Sequence, residues 1–273
     1  MIKFLQNFCY LIYSKLNFFT SIIIFKSLNI KKIEDKSSEL EILSNLRNFG
    51  FSVVENYLDK NKCEKVIKKI DSFIESNPSK IWSGKLSSDQ RIHGAEHIDD
   101  TINEYYNSKM IKNVGRAYLY SDLENLMTMA NRTKFFQDNL GSGEGWHRDS
   151  INTQFKSILY LVDVDFKNGP FQMIKGSQRF FQMLTDLQFL DKKINNTRFT
   201  EDDISTLIKN NIERLLTFSH KAGTLLIVDT STLHRGSPII SGSRYALTNY
   251  YYPSHQIDNY KNHFVPMITK NDL

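Results

Sequence analysis

The sequence predicts a mainly β domain with flanking helices, an α+β fold of barrel type, and three observations carry that reading. Runs rich in β-branched and aromatic residues recur at 157–164, 224–230 and 244–252, the composition of buried strands. Helical periodicity with capping signals is confined to the part ahead of Leu119 and to one stretch between about 180 and 220. A chain of 273 residues suits one unit, because barrel-type β folds commonly reach this size as a single domain.

Taken in order, residues 1–33 are rich in Phe, Leu, Ile and Tyr, but Lys15 and Asn17 interrupt them. No uninterrupted apolar run of about 18 residues exists, so a transmembrane helix is not predicted. No small-residue cleavage site follows a compact apolar core, which argues against a secretory signal. Leu5, Phe8, Leu11 or Ile12, Leu16, Phe19 and Ile22 or Ile23 recur at helical spacing, with Gln6, Asn7, Ser14, Asn17 and Ser21 filling the other face. Segment 1–36 is therefore expected to be an amphipathic helix packed on the barrel. The alternative is weak peripheral membrane contact through 1–33, with Lys3, Lys15 and Lys26 near headgroups.

The remainder, 37–273, is read as one catalytic domain. Ser38-x-x-Glu41 is a capping box opening a helix that ends near Gly50, and 51–56 is a short strand. Asp59 or Asn61 caps a helix over 63–76 with Val66, Ile67, Ile70 and Phe73 as its apolar stripe, stopped by Asn77-Pro78. Thr101-x-x-Glu104 opens another helix toward Leu119. Strands follow at 123–130 and 132–137, then the Gly-rich turn 141–145, an extended segment at His147, and the strand 157–164. Asn168-Gly169-Pro170 is a turn before the short strand 171–174. Residues 180–220 break the β pattern; Thr200 caps a helix through about Leu216, so this is a helical insertion over the mouth of the barrel or a structural flap. The strand at 224–230 leads to His234, and 244–252 is the last strong strand.

The chemistry concentrates in Gly-Trp-His147-Arg148-Asp149, in Leu-His234-Arg-Gly-Ser, and in Arg244. Residues two apart in extended chain point the same way, so His147 and Asp149 can close on one ion while Arg148 points away. His234 would complete a two-histidine, one-carboxylate set, the signature of non-haem Fe(II) oxygenases. Arg244 offers a guanidinium fork for a dicarboxylate co-substrate. It shares one face of its strand with Ala246, Thr248, Tyr250 and Tyr252. Lys156, Gln137, Thr133 and Trp146 are further candidates for co-substrate contacts, and strand parity does not choose among them. His93-x-x-x-His97 has helical spacing, but Gly94 lies inside it and no third ligand is near, so no second metal is predicted. His220, His255 and His263 have no partner at metal spacing and are read as ordinary residues.

The strings Gly-Trp-His147-Arg-Asp149-Ser, Phe155-Lys-Ser-Ile-Leu-Tyr-Leu-Val-Asp-Val164, Asn168-Gly-Pro-Phe-Gln172, Lys175-Gly-Ser177 and His234-Arg-Gly-Ser-Pro238 resemble the phytanoyl-CoA dioxygenase-like family, over about residues 40–253. The resemblance implies a double-stranded β-helix, a jelly-roll or cupin-like barrel with N-terminal helices on one face. It also implies Fe(II), 2-oxoglutarate and O₂ as cofactor and co-substrates. His147, Asp149 and His234 would be the iron ligands, and Arg244 the anchor of the distal 2-oxoglutarate carboxylate. Many relatives carry a hydroxyl residue two positions after the distal histidine; here Gly236 stands there and Ser237 follows, so that helper contact is in question. In the family, the stretch 89–97 resembles a loop near the active-site mouth, where Arg91, His93 or Glu96 would meet substrate.

The expected activity is hydroxylation of a small-molecule or lipid-like substrate, coupled to decarboxylation of 2-oxoglutarate to succinate and CO₂. A halogenase would need the Asp149 carboxylate replaced. The alternatives are a cupin-like metal enzyme that uses no 2-oxoglutarate, against which Arg244 argues, and a catalytically silent binding module, against which the intact triad argues. The net charge of +5 is spread along the chain, which gives no footing for nucleic-acid binding. Cys9 and Cys63 form neither a metal motif nor a disulfide framework, which fits a reducing cytoplasm. A monomer or homodimer is expected.

Overall fold

A computed structural model describes residues 2–26, 37–84 and 88–272, with backbone alone for residues 2, 21–26 and 37. Two antiparallel sheets face each other. The larger has the order β1 (Phe51–Val54), β8 (Leu225–Asp229), β5 (Phe155–Tyr160), β10 (Ser243–Pro253), β4 (Leu123–Lys134), β3 (Asp89–His93) and β2 (Trp82–Ser83). The smaller runs β7 (Leu215–Phe218), β6 (Phe171–Ile174), β9 (His234–Gly236). Strands far apart in sequence pair, as in a jelly-roll double-stranded β-helix.

The period-2 alternation of strands sets the layers. On β5, Phe155 and Leu159 join the core beneath the helices, and the Ser157 hydroxyl meets Tyr105 Oη at 2.8 Å. Lys156, Ile158 and Tyr160 point the other way, into the space between the sheets. Helices α2 (Ser37–Phe49), α3 (Lys60–Ser76), α4 (Asp100–Tyr106) and α5 (Lys109–Leu119) cover the outer face, where Leu46, Val66, Ile70 and Ile111 pack on Leu225, Ile227 and Leu247. Between the sheets, Tyr160 and Val228 pack on Phe171, Met173 and Phe218. The Tyr160 hydroxyl ties that seam together by donating to Phe218 O and accepting from Phe171 N.

Several elements differ from expectation for identifiable reasons. Helix α2 begins at Ser37, so Ser38 lies inside its first turn. Asp59 is the cap of α3, accepting from Asn61 N and Lys62 N, a contact worth about 1 kcal/mol. The helix expected from Thr101 to Leu119 is two helices; Asp99 caps the first, and it closes at Asn107. Residues 89–93 form a strand, because pairing with β4 outweighs a local pattern with only Ile92 apolar. β4 runs unbroken through Asn131, whose amide donates to Asp89. The helix capped by Thr200, α7 (Glu201–Ile208), stops early, since 215–218 is the edge strand β7.

The first helix, α1 (Ile2–Lys26), packs by only part of the expected stripe, through Phe8 and Leu11. Asn7, Leu11 and Ser14 turn toward the protein, whereas Leu5, Leu16 and Phe19 are exposed. Asn7 explains the choice: its amide donates to Lys192 O at 3.0 Å and accepts from Ile194 N at 2.9 Å, satisfying backbone groups of the insertion that no ladder serves. Ile22, Ile23 and Lys26 fall outside the described side chains, and residues 27–36 outside the described residues. Among the described residues, no helix is long and apolar enough to cross a membrane.

Glu96 is buried on a short turn over β4 and accepts from Thr128 N at 2.8 Å. Burial raises its carboxyl to about 7 from 4.5. The folded state therefore holds this proton more tightly than the unfolded chain, and the stability it contributes is lost as pH rises from about 4.5 through 7. Glu96→Gln keeps the acceptor and removes the titration. Its stability relative to the parent should increase between pH 5 and pH 8 by roughly 3 kcal/mol, measured by urea unfolding at both pH values; a pH-independent difference would contradict this.

Candidate metal centre

Two segments meet at the site, the stretch His147–Asp149, which has no regular strand of its own, and the start of β9 at His234. His147 sits in two isolated antiparallel bridges, with Arg198 on one side and His234 on the other; toward the latter, His147 N donates to His234 O at 2.9 Å and His234 N donates to His147 O at 2.8 Å. This is less than the extended strand expected from the spacing, but one hydrogen-bonded antiparallel pair aligns both side chains to the same side. The rings lie 4.3 Å apart by centroid. Arg148 points away and is buried, donating to Ser177 O and Ser231 O. The Asp229 carboxylate clamps both approaches, accepting from Gln154 N and from the N–H and hydroxyl of Ser231.

His147, Asp149 and His234 bring one ligand atom each within 4.8 Å of one another, the only such group among the described residues. Asp149 Oδ1 lies 3.8 Å from His147 Nε2 and Oδ2 3.6 Å from His234 Nε2. His147 Nδ1 is 2.8 Å from Gly145 O and His234 Nδ1 is 2.8 Å from Thr232 O. A carbonyl only accepts, so Nδ1 carries the proton in each ring and Nε2 turns its lone pair to the site. Burial pushes both imidazoles down, His234 to about 3, which keeps them neutral as metal ligands must be. The donor set fits a divalent transition metal.

Gly143 explains the glycine-rich turn ahead of His147. Its φ is +86°, and a Cβ there would lie 2.4 Å from His147 Cε1, so only glycine lets the turn wrap the ring.

Lys156 is the residue whose place the sequence left open. Its Nζ lies 2.8 Å from Asp149 Oδ2 and 4.1 Å from the Tyr250 ring centroid. Burial alone would raise the Asp149 carboxyl, but Lys156 and the two imidazoles hold it well below the usual carboxylate range. Of the other candidates, Thr133 bonds Asn131 within the sheet, Gln137 is exposed, and Trp146 is buried in the insertion core.

A cavity of about 510 Å³ opens from the triad. Arg244, Ala246, Thr248, Tyr250 and Tyr252 all line it, so the expected face of β10 is the one presented. Arg244 is buried and donates to Gly169 O. Gly236 gives it room: a Cβ there would stand 2.8 Å from a guanidinium nitrogen. Ser237 does not line the cavity. Arg91 does, stacked over Trp82 and paired with Asp89 at 2.5 Å, whereas His93 and Glu96 do not. Arg198 from the insertion and Tyr260, His263 and Phe264 from the C-terminal turns close the rim. These four escaped sequence reasoning because nothing local marks them.

The family described as phytanoyl-CoA dioxygenase (PhyH) matches residues 46–246. No curated protein matches at a significant level. Among solved structures, the non-haem α-ketoglutarate-dependent epimerase SnoN from nogalamycin biosynthesis has a TM-score of 0.60 at 15% identity, over 81% of this chain and 85% of that one. HygX from Streptomyces hygroscopicus, with nickel and 2-oxoglutarate bound, scores 0.55 at 15% identity over 78% and 87%. The carbocyclase SnoK from nogalamycin biosynthesis scores 0.55 at 13% identity over 78% and 83%. At these identities the likeness is one of fold.

Lys156 is the counter-charge of Asp149 when no metal is bound. Lys156→Met should lower the stability of metal-free protein by on the order of 2 kcal/mol, by leaving a carboxylate unpaired in a partly buried site. Added Fe(II) or Ni(II) should then raise the melting temperature of the variant more than that of the parent. Equal metal-induced shifts in the two proteins would refute the pairing role.

Proposed function

The chain belongs to the phytanoyl-CoA dioxygenase family, and on that footing we propose that it is an Fe(II)- and 2-oxoglutarate-dependent dioxygenase that hydroxylates a small-molecule substrate. The observation that carries this reading is the placement of two neutral imidazoles and a carboxylate at one end of a cavity that Arg244 also lines. Bound Fe(II) would supply O₂ activation, coupled to decarboxylation of 2-oxoglutarate to succinate and CO₂ while one oxygen atom enters a substrate C–H bond. His147, Asp149 and His234 would hold the metal from one side and leave the cavity side free.

Arg244 would take the distal carboxylate of 2-oxoglutarate through its guanidinium fork, with Gly236 leaving the space that fork occupies. Met129, Ile158 and Phe171 make apolar wall around the same space and exclude water. The retained Asp149 favours hydroxylation over halogenation. Arg244 speaks against a cupin-like enzyme without 2-oxoglutarate, and the complete donor set against a silent module.

Adding Fe(II) and then 2-oxoglutarate to purified protein without oxygen should produce the weak visible charge-transfer band of the chelate. His147→Ala should abolish it. Arg244→Ala and Gly236→Ser should each require about tenfold more 2-oxoglutarate, the loss expected of one charge-assisted contact. A folded, iron-loaded protein that forms no band would overturn the assignment.

A further inference from the structure

A second chamber of about 320 Å³ lies beneath α1. Ser150, Gln154, Tyr252 and Tyr260 line both it and the metal cavity, so the two spaces share one wall, and Ser150 follows Asp149 directly in the chain. The roof is α1 itself, through Tyr10, Tyr13 and Asn17, pinned by the Asn152 amide donating to Ser14 Oγ at 3.1 Å. In the shared wall, Tyr252 and Tyr260 stack at 3.9 Å with 16° between their planes.

The chemistry of the lining is one-sided. Of the sixteen described residues that line the chamber none is charged, and amide, hydroxyl and phenol groups dominate, with Asn17, Asn152, Gln154 and Gln256 supplying the amides. A charged group placed here would lose water without meeting a counter-charge in the lining; Lys15, on the same helix, is set against Asp229 instead. Asn152 is already paired with Ser14, and the amide nitrogens of Gln154 and Gln256 with Tyr251 O and His255 Nε2, but an alkyl chain would still cover the Asn17 amide and the Gln154 and Gln256 amide oxygens without pairing them. A neutral ring bearing several hydroxyls meets both needs. Its hydroxyls each donate and accept, as the amides do, and its C–H faces lie against tyrosine rings. The volume falls within the roughly 300–1,000 Å³ of small-molecule sites.

We propose that this chamber is a substrate subsite for a neutral, hydroxyl-rich group, a sugar or polyol portion of an elongated molecule whose oxidised carbon reaches the metal cavity. The assignment of the reacting end rests on the proposed oxygenase activity; the subsite itself rests on the lining alone. α1 is then a specificity element, selecting substrates that carry hydroxyls at a distance from the oxidised carbon.

Saturation-transfer NMR on protein loaded with Fe(II) and 2-oxoglutarate without oxygen tests this, with methyl α-glucoside and maltose as neutral probes and glucuronate, glucosamine and decanoate as charged or apolar counterparts. Saturable transfer to the neutral sugars is expected. It should weaken at least about threefold in both Asn17→Ala and Gln256→Ala, the loss of about one hydrogen bond, with the chelate band and melting temperature unchanged. Preference for glucuronate, glucosamine or decanoate, no saturable binding of the neutral sugars, or sugar binding indifferent to both substitutions would overturn the proposal. Loss of the chelate band with sugar binding intact would instead count against the oxygenase reading alone.

Discussion

Two backbone hydrogen bonds exchanged between His147 and His234 fix nearly everything else in the site. In such a pair the Cα atoms stand about 5.5 Å apart and the side chains leave the same side, so two imidazoles are delivered to one point by main-chain geometry before any metal is present. The bonds also join the glycine-rich turn to the smaller sheet, which lacks a regular fourth strand at this edge. Arg148, held from behind by two carbonyls, and Asp229, gripping the segments that follow Asp149 and precede His234, resist rotation of the pair. The ring nitrogens that face away from the site are tied to carbonyls two residues off in sequence, Gly145 and Thr232. Ligand geometry is thus a property of turns and caps, and the large sheet serves as the platform on which those turns rest.

Charge is distributed with the same economy. At one end of the cavity Lys156 neutralises Asp149; Arg244 sits buried with only a carbonyl as its described hydrogen-bond partner, and burial pulls its pKa down. A guanidinium in that state gains more from an incoming carboxylate than one already paired. Arg91 illustrates the contrast. It lines the same cavity, but Asp89 engages two of its nitrogens, so its charge is committed to the sheet. Of the two arginines on the walls between β3 and β10, the lattice of internal pairs leaves Arg244 as the one better placed to answer a dicarboxylate.

What the sequence revealed follows from how local each signal is. The face of β10 was legible because alternation is a property of the strand alone, and Phe171–Ile174 was legible because turn residues bracket it. The convergence of His147, Asp149 and His234 could be anticipated because short-range spacing and strong flanking strands constrain both ends, although the extended strand presumed at His147 reduces to isolated bridges with Arg198 and His234. Where tertiary demand outweighs local pattern, the reading fails. Asn7 turns inward, against its polarity, because carbonyl and amide groups near residues 192–194 need a partner. The strand at 89–93 exists through pairing with β4, and 215–218 through pairing with β6. Lys156 could be placed on a strand but not on Asp149, since a long side chain's partner is set by strand order. His263 reaches the cavity rim by a turn whose route no spacing rule encodes.

The boundaries of the family match divide the site in a way that bears on specificity. Residues 46–246 contain His147, Asp149, His234 and Arg244, every group to which the proposed reaction gives a role. Much of what encloses that chemistry lies outside: α1 on one side, and the turns carrying Gln256, Tyr260, His263 and Phe264 on the other. These two terminal segments meet across the chamber beneath α1, where Tyr10 and Tyr13 face Gln256 and Tyr260. Walls built from segments outside the matched core can vary without disturbing the triad, because loops tolerate change that paired strands do not. The inward turn of Asn7 then acquires a second consequence. By anchoring α1 to the insertion, it fixes the roof of the outer chamber relative to the triad, so a contact that satisfies two backbone groups also sets the shape of that chamber.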